Sequence, residues 1–288
     1  MCSSSRKAPR RRDLIRVSRA IRRALLLALV LAGGVAEART LRVCADPNNL
    51  PFSNERGEGF ENKLVALVAE ELGAEVEYTW RAQRRGFLRE TLKAGICDVV
   101  PGLPSNLEGV RTTAPYYRST YVFATRADGP AIASFDDAQL RTLVVGVQLI
   151  GDDGANAPPA HALSRRGLVD NVRGYSVYGD YRQPNPPARI IEAVARGEID
   201  VAAVWGPLAG YFAPRQAVPL KLAAVQPAFD GPERPMVWDI AMAVRNDDRG
   251  LRDDIDAALD RRRAQVAAIL AAYGVPRLDF PAKRAEAR

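Results

Sequence analysis

The stretches "LKAGICDVVPGLP" (92–104) and "VARGEIDVAAVWGP" (194–207) share one grammar. Each runs from a helix end through a glycine and a turn to an aspartate, an apolar strand, and Gly/Pro at the strand's exit. Gly95 and Gly197 stand where a helix stops, and each apolar run has the length of a buried strand. The likeness is one of pattern and not of residues. It predicts two similar α/β blocks in one chain.

Working outward, Leu41–Cys44 reads as a short strand. Phe60, Leu64, Leu67, Val68 and Leu72 then recur at helical spacing, with Gly73 as a stop. Val76, Tyr78 and Trp80 alternate as a strand, and Phe87, Leu88, Thr91 and Leu92 form a second helical face. Residues 97–103 complete β-α-β-α-β, an alternation that implies a parallel sheet with right-handed crossovers. After a strand at 119–126, a second block repeats the plan. It has strands at 142–148, 172–178, 199–205 and 220–225, and helices over Pro159–Arg166 and from Pro187. Residues 237–245 read as a returning strand. Leu251, Ile255, Leu259, Val266 and Leu270 line one C-terminal helix, and the tail beyond Pro276 is polar.

Two lobes joined by two crossovers satisfy this order. The expected boundaries are 39–126 for the first part of lobe 1, 127–235 for lobe 2, and 236–276 for the return to lobe 1, with a tail at 277–288. Hinges fall near 125–130 and 227–237. Ligands of open α/β sheets bind beyond the carboxyl ends of strands. Those ends carry "DPNNLP", "WRAQRR", "GLPS", "QLIGDDG", "YGDYRQPNPP" and "WGPLAG", a composition suited to a cleft between lobes.

Residues 1–38 read as a cleaved secretory signal. Arg6 to Arg23 is basic, Ala24–Val35 is a short apolar run, and Ala36-Glu37-Ala38 is an A-x-A cleavage site. Sec export is expected. Arg11-Arg12-Asp13-Leu14-Ile15 resembles a twin-arginine motif only faintly, and a mis-assigned start codon explains the long basic region as well. Taking the 9 basic and 2 acidic residues of 1–38 from totals of 41 and 34 leaves 32 of each. The near-neutral remainder gives no electrostatic footprint for nucleic acid. No later apolar stretch is long enough to span a bilayer, and no cysteine follows the cleavage site to carry a lipid anchor.

The segments "RVCADPNNLPFSN", "QRRGFLRETLKAGICDVVPGLP", "PYYRSTYVFATR" and "YGDYRQPNPPARIIEAVARGEIDVAAVWGPLAGYF" resemble those of the quinoprotein-dehydrogenase-associated binding proteins. These are the MxaJ/XoxJ-like proteins of methanol dehydrogenase gene clusters. The resemblance covers nearly the whole chain after residue 38. It implies a two-lobed α/β fold of the periplasmic binding protein type II class, each lobe a mainly parallel sheet flanked by helices. It implies a non-enzymatic periplasmic accessory protein in maturation or assembly of a PQQ-dependent alcohol dehydrogenase. The expected partner is that dehydrogenase or its cytochrome, with a small molecule as another candidate ligand. No cofactor is expected in this chain, since the quinone and metal chemistry would belong to the dehydrogenase.

Cys44 and Cys97 are the cysteines left after residue 38, and an even pair in an exported chain favours a disulfide over two buried thiols. A 2-1-3 strand order would make their strands neighbours. A nucleophilic cysteine has no adjacent base, since the single His161 lies in the other block. Asp152 and Asp153 could meet calcium but lack the spaced oxygens of a calcium loop, and they read better as caps of a strand-to-helix turn.

The cleft residues expected on the first block are Asp46, Asn48, Asn49, Phe52, Trp80, Arg84, Arg85, Pro104, Ser105, Tyr116 and Tyr117. On the second they are Gln148, Asp152, Asp153, Asp180, Tyr181, Trp205 and Gly206. Glycine at 206 would let backbone approach a ligand. Amino-acid-binding relatives hold an α-carboxylate with an arginine near the position of Glu108-Gly109. Here Arg111 is displaced, so that clamp is absent or remodelled. Arg84, Arg85, Arg111 and Arg118 could still meet an anion or simply pair at the surface. The extended "DYRQPNPPAR" (180–189) reads equally as a partner-facing loop and as a rigid lead into a helix.

Two other function classes remain: a solute receptor of an ABC transporter, and an enzyme such as a dehydratase using a cleft carboxylate. A solute receptor predicts a closed, ligand-sized cleft with paired charges, and a chaperone-like protein predicts a wide apolar cleft with exposed aromatics. An enzyme predicts a carboxyl of raised pKa facing the pocket.

Overall fold

The computed structural model describes residues 39–149, 156–176, 181–232 and 234–281. The signal-sequence reading and Asp152, Asp153 and Asp180 lie outside these residues.

In lobe 1, strand β1 (Arg39–Ala45) is followed by a short antiparallel pair, β2 (Asn48–Asn49) and β3 (Ser53–Asn54), and pairs in parallel with β4 (Ala74–Trp80), from Arg39 opposite Ala74 to Ala45 opposite Trp80. On its other side, Val43 bridges in parallel to Val99, next to β5 (Val100–Pro104). The strand order is therefore the 2-1-3 of a doubly wound unit. Its first crossover is helix α1 (Phe60–Leu72), which buries Phe60, Leu64, Leu67 and Val68 and ends at left-handed Gly73. The expected helix from Phe87 is a single turn, α2 (Phe87–Glu90). Thr91 leaves helical geometry, and its hydroxyl donates to the Phe87 carbonyl, closing the turn locally.

Adjacency of β1 and β5 brings Cys44 and Cys97 together as a disulfide with a Cα separation of 5.7 Å. Both cysteines are fully buried, packed among Phe87, Leu92, Val100, Val110 and Ala243.

After the two-residue strand β6 (Arg111–Thr112), strand β7 (Tyr117–Arg126) belongs to both lobes. Tyr117–Thr120 pair antiparallel with β12 (Val237–Val244), while Tyr121–Thr125 pair antiparallel with β10 (Val201–Trp205). The change of partner falls between Thr120 and Tyr121. In lobe 2, β10 runs parallel to β8 (Val145–Leu149), and β8 runs parallel to β9 (Val172–Ser176). Strand β11 (Leu220–Ala224) covers β7 antiparallel, and the chain from Val225 returns to β12 as the second crossover. Helices α3 (Pro158–Arg165), α4 (Arg189–Arg196) and α5 (Gly206–Phe212) flank this sheet. The returning strands make both sheets mixed, as expected of mainly parallel lobes closed by antiparallel crossovers.

The single C-terminal helix of the sequence pattern is two helices, α6 (Arg249–Arg261) and α7 (Arg263–Ala272), broken at Arg262. Arg262 turns its guanidinium to Glu71 on α1 at 2.6 Å. Beyond α7 the chain crosses to lobe 2. A Cβ at Gly210 would stand 2.0 Å from the Gly274 carbonyl oxygen, and one at Gly206 would stand 3.3 Å from Pro276. The Ser119 hydroxyl donates to the Pro276 carbonyl at 2.5 Å, and Leu278 N–H donates to the Arg118 carbonyl at 2.9 Å. Tyr211 stacks on Tyr273 with centroids 5.5 Å apart.

Candidate binding cleft

Strand β1 is cut short because Asp46 turns its carboxylate into a hub. One oxygen accepts the Asn48 N–H at 2.9 Å. The other accepts the Gln83 N–H and the Tyr181 hydroxyl, each at 2.9 Å. Asn48 also donates its side-chain amide to the Gln183 carbonyl at 2.8 Å, and the Arg84 guanidinium lies 5.9 Å from the Tyr181 ring centroid. Loops of lobe 1 thus meet the 181–183 loop of lobe 2 at the rim. Tyr181→Phe is expected to remove one charge-assisted bond, destabilise by about 1–2 kcal/mol and enlarge the radius of gyration. Small-angle scattering that does not change would show the rim to be held elsewhere.

Behind this rim lies a cavity of about 370 Å³. Lobe 1 contributes Asn49, Phe52, Glu61, Gln83, Gly102 and Pro104. The crossing strands contribute Tyr117, Tyr121, Trp238 and Ile240, and lobe 2 contributes Gln148, Ala157, Pro158, Trp205 and Leu208. Local folding sets the key side chains. The Phe60 and Glu61 amides donate to the Pro51 and Phe52 carbonyls at 2.8 and 3.0 Å, which seats the start of α1 beneath the 51–52 turn. Glycine is required at 59, because a Cβ there would lie 1.9 Å from the Phe52 carbonyl oxygen. Asn62 closes the entry by accepting the Gly59 and Asn54 amides. Glu61 is thereby held inward, against Gly102, where a Cβ would come within 1.9 Å of its Oε1. The Gln148 side-chain Oε1 accepts the Trp205 backbone N–H at 2.9 Å, and the Trp205 ring meets Tyr121 edge-on at 5.2 Å.

Glu61 is 3 % exposed. Burial, and then the charge of Asp46, raise its pKa to about 8, so the carboxyl holds its proton at neutral pH. No described residue donates a hydrogen bond to it or pairs with it. Burial also pushes the Tyr117 and Tyr121 phenols upward, so both stay neutral. The oxygen Oδ1 of buried Asn49 is unpaired. Among the described lining residues there is no Arg, Lys or His.

Of the residues expected from sequence, Asn49, Phe52, Pro104, Tyr117, Gln148 and Trp205 line the cavity. Asp46, Asn48, Arg84 and Tyr181 form the rim. Trp80, Arg85, Ser105, Tyr116 and Gly206 fall outside the lining. Trp80 stacks on Tyr78 at 4.4 Å, and Ser105 N–H is taken by the Asp239 carbonyl at 2.8 Å. The Tyr116 hydroxyl turns back to accept Gly102 N–H at 3.1 Å. Gly206 does serve close backbone approach, but of the Thr120 carbonyl, 2.5 Å from its would-be Cβ, and not of a ligand. Arg118 pairs with Asp239 at 2.9 Å, and Arg111 donates to the Asn246 carbonyl at 2.9 Å, so neither faces the cavity. Among the described residues no group of three or more His, Cys, Asp or Glu could hold a metal ion.

The residues singled out from sequence did not include Glu61, Tyr121, Ala157, Pro158, Trp238 and Ile240, while Gln83, Gly102 and Leu208 lie within strand-exit loops read as cleft-facing. Glu61 occupies the first turn of an amphipathic helix, where an acid ordinarily faces the dipole and solvent.

Two α/β lobes joined by two crossing strands, with a cavity between them, define a binding protein of the two-lobed type. The bacterial extracellular solute-binding proteins, family 3, match over residues 41–275, and the chain belongs to that family. It is 35% identical over 248 residues to protein MoxJ of Methylorubrum extorquens, covering 83% of this chain and 82% of MoxJ. The periplasmic binding protein XoxJ of Methylobacterium extorquens AM1 superposes with a TM-score of 0.67 at 33% identity, covering 83% of this chain and all of XoxJ (100%). MxaJ of Methlophaga aminisulfidivorans MPT gives 0.69 at 28% identity, covering 83% of this chain and 100% of MxaJ. Among the described residues no helix is long and apolar enough to cross a membrane.

Proposed function

We propose that this is a periplasmic, non-enzymatic binding protein that assists maturation or assembly of a PQQ-dependent alcohol dehydrogenase. Its cleft takes a small ligand or a side chain of a captured segment, and closure comes from rotation of the lobes about the two crossing strands. The observation that carries this reading is the likeness to MoxJ, XoxJ and MxaJ along nearly the whole described chain. The association with methanol dehydrogenase follows from the family resemblance. The lack of a basic residue in the described lining supports it further, since an ordinary amino-acid carrier needs a cation for the α-carboxylate.

A solute receptor of an ABC transporter is the second reading, favoured by the ligand-sized cavity. The carboxyl of raised pKa meets one criterion for an enzyme, yet no second acid, base or nucleophile of ordinary reactivity accompanies Glu61 in the described lining. Titration of the purified protein with the immature dehydrogenase, followed by calorimetry, tests the first reading. Saturable binding is the expected result. No binding, together with tight binding of a small solute, would establish the receptor instead.

A further inference from the structure

We propose that the cavity receives an organic ammonium group, with Glu61 as its counter-charge and aromatic rings as its walls. The inference rests on the reading of this cleft as a ligand site. Glu61 carries the one carboxyl in the described lining, it is 3 % exposed, and no described residue donates to it. Buried acids are ordinarily paired, and this one faces an open cavity. The one fully buried lining atom without a partner among the described residues is also an acceptor, Oδ1 of Asn49, in a residue 7 % exposed. Phe52, Tyr117, Tyr121, Trp205 and Trp238 supply the aromatic part of the wall. Ring faces are electronegative and hold desolvated cations, quaternary ammonium groups above all. A carboxylate or phosphate head would find no Arg, Lys or His in the described lining to balance its charge. The amide nitrogens of Gln83 and Gln148 suit a hydroxyl or carbonyl elsewhere on the ligand.

Four titratable groups face Glu61: Asp46 after β1, Tyr78 on β4, and Tyr116 and Tyr117 at the start of β7. Burial pushes all three phenols up, so they remain neutral. An entering cation favours ionised Glu61 and therefore displaces its proton. Below about pH 8 cation affinity must rise with pH, by up to about tenfold per unit, and must level off above.

The test uses choline, its uncharged isostere 3,3-dimethyl-1-butanol, and Nα-acetyl-lysine amide, by calorimetry between about pH 6 and pH 8.5. One of the two cations should bind at least about tenfold more tightly than the alcohol at the higher pH. Affinity should fall toward pH 6 with proton release, and Glu61→Gln should flatten that slope and erase the preference. Binding of choline assigns a small solute, and binding of the lysine amide alone assigns an ammonium borne on a polypeptide. The proposal is overturned if the alcohol binds as tightly as the cations. It is equally overturned if neither cation binds wild type at about 10 mM, a concentration that reveals even millimolar affinity. Dehydrogenase binding without cation binding would sink this inference alone, and the reverse outcome would sink the accessory reading alone.

Discussion

Glu61→Gln is expected to raise folding stability by about 5 kcal/mol at pH 8–9 and to leave it nearly unchanged at pH 4. Below the ordinary carboxylate range the group is protonated in both folded and unfolded chains, so it contributes no difference. As pH rises the unfolded chain ionises first, while the folded chain keeps its proton until about pH 8. Each unit of separation is about 1.4 kcal/mol, so wild type loses stability steadily across that window and levels off above it. Glutamine is near in shape and cannot ionise. Depressed carboxyls elsewhere, such as Asp98 beside Arg42 and Arg245, act alike in both proteins and cancel in the difference. Urea midpoints of the two proteins at pH 4, 6 and 8.5 give the result. A gap that does not widen with pH would show that Glu61 is solvated or paired in solution.

Cys44→Ala combined with Cys97→Ala is expected to cost about 2–4 kcal/mol, through the 53-residue separation the bridge closes. For a chain of this size that is a fall in melting temperature of roughly 5–15 °C. The bridge ties β1 to the entry of β5 directly behind Asp46. Loosening it should also weaken the rim contacts to Tyr181. Thermal melts of the paired variant are the measurement, and an unchanged midpoint would mean the buried cluster around Phe87 and Leu92 suffices without the bridge.

The lobes were legible because α/β alternation leaves a strong record: a left-handed glycine at Gly95 or Gly197, then an apolar strand, twice over. Strand-exit loops betrayed Asn49, Phe52, Pro104 and Trp205, since small, rigid and aromatic residues there have little structural use. The inner walls were harder. Trp238 and Ile240 alternate along β12 like any half-buried strand, and alternation does not say which face meets a cavity. Tyr121 lies where β7 changes partners, a feature set by three distant strands. Glu61 was hidden because its inward aim depends on the Pro51 and Phe52 carbonyls and on Gly102, contacts that no local pattern encodes. The split at Arg262 likewise depends on Glu71, far away in the chain.

The segment from Gly274 to Leu278 gives the lobes a third link besides the two crossing strands. It leaves α7 on lobe 1, rests on the bare backbone of Gly206 and Gly210 on lobe 2, and is moored to β7 at Arg118 and Ser119. A hinge of two strands alone could both bend and twist. Any rotation of the lobes about those strands would have to carry this stay along or break its bonds to Arg118 and Ser119, so the segment restrains twisting more than the strands alone would.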